Sequence, residues 1–115
     1  MAIPAEITAL IDRLNQELNE IEQEALQGLS RVRTKISRFP DNTLLIQLFA
    51  SLNNALLFVE ISRQQIQSTI RSISLNVVPE EATQEAGEDL ATLLGRTIET
   101  KILVSRTITR LENFP

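Results

Sequence analysis

Apolar residues recur at steps of three and four through almost the whole chain, and they divide into three runs. The runs follow Pro4, Pro40 and Pro79. Proline is tolerated in the first turn of a helix and disrupts a helix interior, so each proline indicates where a helix begins. The pattern predicts three long helices, approximately over residues 4–39, 43–76 and 80–113.

These segments predict a single all-α domain over residues 1–115, built as an antiparallel up-down-up bundle. Two short connections between long helices imply antiparallel neighbours. The sequence has no alternating strand pattern and no Asn-Gly or Asp-Gly turn. The three-four steps are also the coiled-coil period. Gly87, followed by Glu88 and Asp89, leaves a four-helix alternative in which a new helix starts within the third segment.

Each segment has an apolar seam that we expect to face the core. The seam of the second segment contains Leu45, Phe49, Leu52, Leu56, Val59, Arg63, Ile66, Ile70, Ile73 and Val77. The third segment has a stripe made of Leu90, Leu94, Ile98 and Ile102. In the first segment, two successive steps of four occur beside Gly28, which predicts a local change in winding or a bend.

The first half of the second segment is apolar on two opposite sides. Thirteen of the eighteen residues from 44 to 61 are apolar, and Glu60 is the only charged one. The stripe opposite the seam has spacings of four, seven and four, and it consists of Ile46, Ala50, Leu57 and Ile61. A surface helix needs only one apolar stripe. Either the other two segments cover both stripes, or the second stripe meets another subunit.

The subunit alternative predicts a homo-oligomer, most simply a two-fold dimer that forms a larger helical bundle. Its interface would consist of Ile46, Ala50, Leu57 and Ile61, because contiguous exposed apolar residues usually mark contacts. Arg63 lies at the edge of this stripe. Its side chain either extends to solvent with its stem packed, or pairs with an acid of the other subunit.

The composition argues against catalysis. The chain has no Cys, His, Trp or Tyr, which excludes zinc sites built on Cys or His, thiol nucleophiles and histidine bases. We therefore expect a protein that is not an enzyme and needs no cofactor or metal. The predicted function is a helical interaction or assembly module that self-associates and could dock an unidentified protein partner.

The charge and polarity of the chain limit which binding partners and which cellular location we expect. The formal net charge is −4, which makes nucleic acid an unlikely partner. The apolar window of the second segment contains Asn42, Gln47, Asn53 and Asn54, and these amides disfavour a membrane span. Without a signal-peptide pattern, cytoplasm is the expected location. Acids dominate the beginnings of segments one and three, and bases dominate their ends. This distribution indicates either that the charges complement the helix dipoles or that they guide the docking of one molecule on another.

Two charged clusters support alternatives. The acidic cluster could hold magnesium in an all-helical nucleotide hydrolase, and it comprises Glu17, Glu20, Glu24, Glu85, Glu88 and Asp89. The axial rise of a helix places Glu17 roughly level with Thr92 in such a bundle. The basic cluster could hold phosphate, and it comprises Arg31, Lys35, Arg38, Arg106 and Arg110. Solvated helix surfaces explain both clusters more simply.

Overall fold

The computed structural model describes residues 3–74 and 79–115, and this part of the chain forms three helices and no strand. Helix α1 spans Ala5–Arg38, α2 spans Thr43–Ile73 and α3 spans Glu80–Glu112. The all-α fold with three long helices is therefore confirmed. Because α3 passes through Gly87 without a break, the four-helix alternative is wrong. The predicted end of the second helix at residue 76, and Val77 of its seam, lie outside the described residues.

The residues before each helix explain where it begins. Pro4 and Pro79 occupy the position directly before α1 and α3, and neither start has a side-chain cap. Helix α2 begins at Thr43 because the side-chain oxygen of Asn42 accepts a 3.0 Å hydrogen bond from the backbone N–H of Leu45. This bond satisfies one of the four N–H groups that a helix start leaves without a partner.

Contacts between helices establish the up-down-up order. Lys101 contacts Glu17 and Glu20, and the backbone of Gly28 lies beside Ile108, so residue numbers rise together along α1 and α3. Arg63 contacts Glu22, while Leu52 lies beside Gly28, so α2 runs the other way. The result is a rod of 58 × 17 × 17 Å. Both acidic N-terminal halves therefore lie at one end of the rod.

Helix α2 buries a slightly different face from the one the seam predicted. Leu45, Leu52 and Val59 are buried as expected. The buried positions that alternate with them lie one residue earlier than predicted, at Leu48, Ala55 and Ser62. The predicted positions are only half-buried: Phe49, Leu56 and Arg63. The heptad seam of a two-stranded coiled coil faces one partner helix. Helix α2 packs against two helices, so its buried face is centred between α1 and α3.

The predicted stripe of α3 is correct at its beginning and wrong at its end. Leu90 is buried, but Ile102 is 47% exposed. Steps of four residues rotate by about 40° around a helix, so twelve residues carry the stripe about 120° away from the core. The buried positions follow three-four steps through Leu93 and Thr97 instead. The hydroxyl of Thr97 donates a 2.8 Å hydrogen bond to the carbonyl of Leu93, so its burial leaves no unpaired donor.

Gly28 of α1 lies against side chains of both other helices. A Cβ atom at this position would lie 2.5 Å from Cδ1 of Ile108 and 2.9 Å from Cδ1 of Leu52. The missing side chain therefore makes room for a residue of α2 and a residue of α3. Helix α1 continues unbroken through this position, so the packing of neighbours explains this glycine.

Candidate interaction surface

The second apolar stripe of α2 lies on the surface of the bundle. Ile46, Leu57 and Ile61 are 50%, 54% and 53% exposed, and Ala50 is also exposed. These four residues, called the outer face of α2 below, lie about 180° around the helix from the buried face. Neither α1 nor α3 covers them. The interpretation that the other two helices bury both stripes is therefore wrong.

Two exposed leucines from the neighbouring helices flank the outer face. Leu26 of α1 is 53% exposed and lines a groove with Leu56 and Glu60 of α2. On the other side, Leu103 of α3 is 59% exposed and lines a groove with Asn54 and Phe58. The sequence pattern did not indicate either leucine, because each lies next to a buried residue, Ala25 or Val104, and only the packing shows which way it points.

Arg63 belongs to an ion pair within the chain. Its guanidinium donates hydrogen bonds of 2.7 and 3.2 Å to the carboxylate of Glu22 and one of 2.7 Å to the side-chain oxygen of Asn19. The hydrogen bond from Arg63 holds the pKa of Glu22 below its ordinary value. The structure thus joins Arg63 to α1, whereas the other four predicted interface residues share one surface.

The acids considered for magnesium are separated along the rod. The ammonium group of Lys101 donates hydrogen bonds of 2.9 Å to Glu17 and 2.7 Å to Glu20. These bonds raise the pKa of Lys101, and the bond to Glu20 lowers the pKa of that carboxyl. The observed register differs from the one expected, because Glu17 pairs with Lys101 instead of lying level with Thr92. Given about 1.5 Å per residue, Glu17 lies on the order of 15 Å along the axis from Glu85–Asp89.

Basic residues at the other end of the rod contact groups of the same chain. Arg31, Lys35 and Arg38 line one shallow cleft together with Leu111 and Glu112. Arg31 lies 3.8 Å from the Glu112 carboxylate. Lys35 is 5.5 Å from the ring centre of Phe114, a cation–π distance. Arg106 and Arg110 line a separate depression on α3. The structure therefore does not join the five predicted bases in one site.

Residues 3–74 and 79–115 contain no group of three or more Asp, Glu, His or Cys that could hold a metal ion.

By length and composition, α2 is apolar enough to cross a membrane, with a window of mean hydropathy 1.7. A mostly buried core helix of a soluble protein meets the same criterion, whereas 28% of this window is buried in the bundle, although α2 packs against both other helices. No family model, curated protein or solved structure matches this chain, so its own residues carry the functional inference.

Proposed function

We propose that this protein is a non-catalytic helical interaction module that self-associates through the outer face of α2. One observation carries the proposal: Ile46, Leu57 and Ile61 are each about half exposed on one side of a helix that has no charge between Asn42 and Val59. Apolar residues exposed singly need no explanation, but an aligned set without charges is typical of a contact surface.

The magnitude of the apolar effect predicts a weak, reversible contact. Complete burial of a large aliphatic side chain contributes about 1.5–3 kcal/mol, so burying the remaining exposed half contributes roughly 1 kcal/mol. Three such residues from each of two copies contribute about 5–9 kcal/mol, while association costs about 4 kcal/mol or more. The favourable end of this range leaves a net of about 5 kcal/mol, which corresponds to a dissociation constant of about 0.2 mM.

The test compares two matched substitutions in sedimentation velocity, over protein concentrations from about 10 µM to 1 mM. We expect the wild type to self-associate and Leu57→Glu to be a folded monomer. Ile102→Glu is the control, because Ile102 is exposed to a similar extent, 47% against 54%, on a different helix. It should associate like the wild type. A wild type that stays monomeric over the whole range, or an equal loss in both variants, would overturn the proposal.

The outer face is proposed to meet protein rather than lipid. The exposed amides of Gln47, Asn53 and Asn54 lie beside the apolar residues, and burying such groups in hydrocarbon without hydrogen-bond partners costs several kcal/mol. We expect no co-sedimentation with vesicles of zwitterionic or anionic phospholipid. Binding to either vesicle that disappears in Leu57→Glu, but not in Ile102→Glu, would assign this face to a membrane instead.

A further inference from the structure

The spacing of the outer face is the same when it is read in either direction. From Ile46 the steps are four, seven and four residues, through Ala50 and Leu57 to Ile61. The midpoint of this series lies between Asn53 and Asn54. A two-fold axis can pass through that point, perpendicular to the helix. It relates the molecule to an antiparallel second copy whose stripe then faces the stripe of the first. A self-complementary surface of this kind is what a two-fold interface requires.

We infer that two copies of this protein pack α2 against α2 in antiparallel orientation, about a two-fold axis between Asn53 and Asn54. In this register Ala50 of one copy meets Leu57 of the partner subunit, and Ile46 meets Ile61 of the partner subunit. The inference rests on the proposed self-association and adds its orientation, its register and its pairs.

Side-chain sizes favour this register. Each pairing of Ala50 with Leu57 combines a small and a large residue, so the layers on the two sides of the axis have equal volume. A parallel dimer would instead stack each residue on itself, with Ala50 on Ala50 and Leu57 on Leu57. Well-packed interfaces need a large residue where the facing one is small. The antiparallel register provides this at both layers.

The amides at the axis give a second reason for the register. Asn53 and Asn54 are exposed and flank the outer face at its midpoint. At the two-fold axis each amide would lie beside its own copy in the partner subunit, where one side-chain oxygen can accept from the other NH₂ group. Buried amides need such partners. A shift of register would bury them against leucine or isoleucine, so the pair opposes other alignments.

The charge distribution agrees with the antiparallel orientation. Acids dominate residues 1–24 and 80–89, and bases dominate residues 25–39. Because α1 and α3 run in the same direction, each molecule has an acidic end and a basic end. An antiparallel pair sets unlike ends side by side, whereas a parallel pair sets like ends together. The long-range electrostatic interaction therefore favours the antiparallel dimer.

Disulfide trapping tests the register, and the absence of native cysteine makes every cross-link assignable. Single-cysteine variants Ile46→Cys, Ile61→Cys and Asn54→Cys are oxidised alone and as the mixture of the first two. In the antiparallel register the two copies of residue 46 lie about 22 Å apart along the axis, while a disulfide needs Cα atoms within about 7 Å. We expect Asn54→Cys to cross-link with itself, and Ile46→Cys to cross-link only with Ile61→Cys.

The outcomes separate this inference from the proposed function. If the wild type associates but Ile46→Cys cross-links mainly with itself, the dimer is parallel; the register is then wrong and self-association stands. If the wild type associates but none of the three variants cross-links above the level of Ile102→Cys, another surface forms the contact. A wild type that is monomeric throughout the concentration series overturns both. Sedimentation of each reduced variant shows whether the cysteine itself has weakened association.

Discussion

Gly28 and Gly95 offer a matched test of the three-helix packing. Both lie inside long helices, where replacing glycine with alanine contributes about 1 kcal/mol through helix propensity. At Gly95 an added Cβ would meet no atom within 4 Å, so Gly95→Ala should raise the free energy of unfolding by about 0.5–1 kcal/mol. At Gly28 the added Cβ would lie 2.5 Å from Ile108 and 2.9 Å from Leu52.

The clash at Gly28 should cancel or exceed the gain in propensity. Both atoms in the way are the ends of side chains that can rotate, but each off-rotamer adjustment costs about 0.5–1.5 kcal/mol, and overpacking costs about 1–3 kcal/mol. We therefore expect Gly28→Ala to be less stable than Gly95→Ala by about 1–3 kcal/mol.

Urea unfolding followed by far-ultraviolet circular dichroism measures both variants against the wild type. The slope of the transition should stay unchanged, so that the midpoints report stability directly. Gly28→Val adds two more methyl groups than Gly28→Ala at the same point and should be less stable again. Equal stabilisation by Gly28→Ala and Gly95→Ala would show that α2 and α3 do not meet α1 at this residue, which would refute the packing described above.

Three further predictions concern the charged groups. Stability should fall as the pH drops below about 4.5, the ordinary pKa of glutamate. Ion pairs lower the folded-state pKa of Glu20 and Glu22, and the stability that these pairs contribute is lost when the carboxylates are protonated. Glu22→Gln should reduce stability at neutral pH and show a shallower loss of stability in acid. Arg63→Ala should cost less than about 1 kcal/mol, because both partners of the pair are more than a third exposed, and its sedimentation should match that of the wild type. Magnesium should not stimulate phosphate release from nucleoside triphosphates; turnover that disappears in Glu85→Gln would support the hydrolase alternative.

The fold was predictable because long helices leave a strong periodic signal. The three-four recurrence and the prolines at positions 4, 40 and 79 placed the helix starts within a residue or two of those observed. The exact buried face was less predictable. Leu48 and Ala55 are buried where Phe49 and Leu56 were expected, because a helix that touches two neighbours at once shifts its buried face between them. Periodicity along one segment does not contain that information.

The candidate surface was predictable in part, since the sequence showed that α2 has a second stripe but not what covers it. Exposure of Ile46, Leu57 and Ile61 depends on where α1 and α3 lie around α2. The partner of Arg63 depended on the axial register of α1 and α2, which brings Glu22 within 2.7 Å. Such registers arise from packing between segments distant in sequence, and local patterns constrain them only weakly.

The sides of α1 and α2 that face away from the core differ in polarity. The side of α1 that faces away from the core is polar, with exposed Gln16, Gln23 and Gln27. The corresponding side of α2 is aliphatic, although glutamine or glutamate there would satisfy the same helix and leave the same core intact. Stability of the single bundle therefore does not require Leu57 or Ile61 at these positions. The proposed contact with a second molecule would require them, and for that reason a folded but monomeric Leu57→Glu variant is the outcome that would separate assembly from folding.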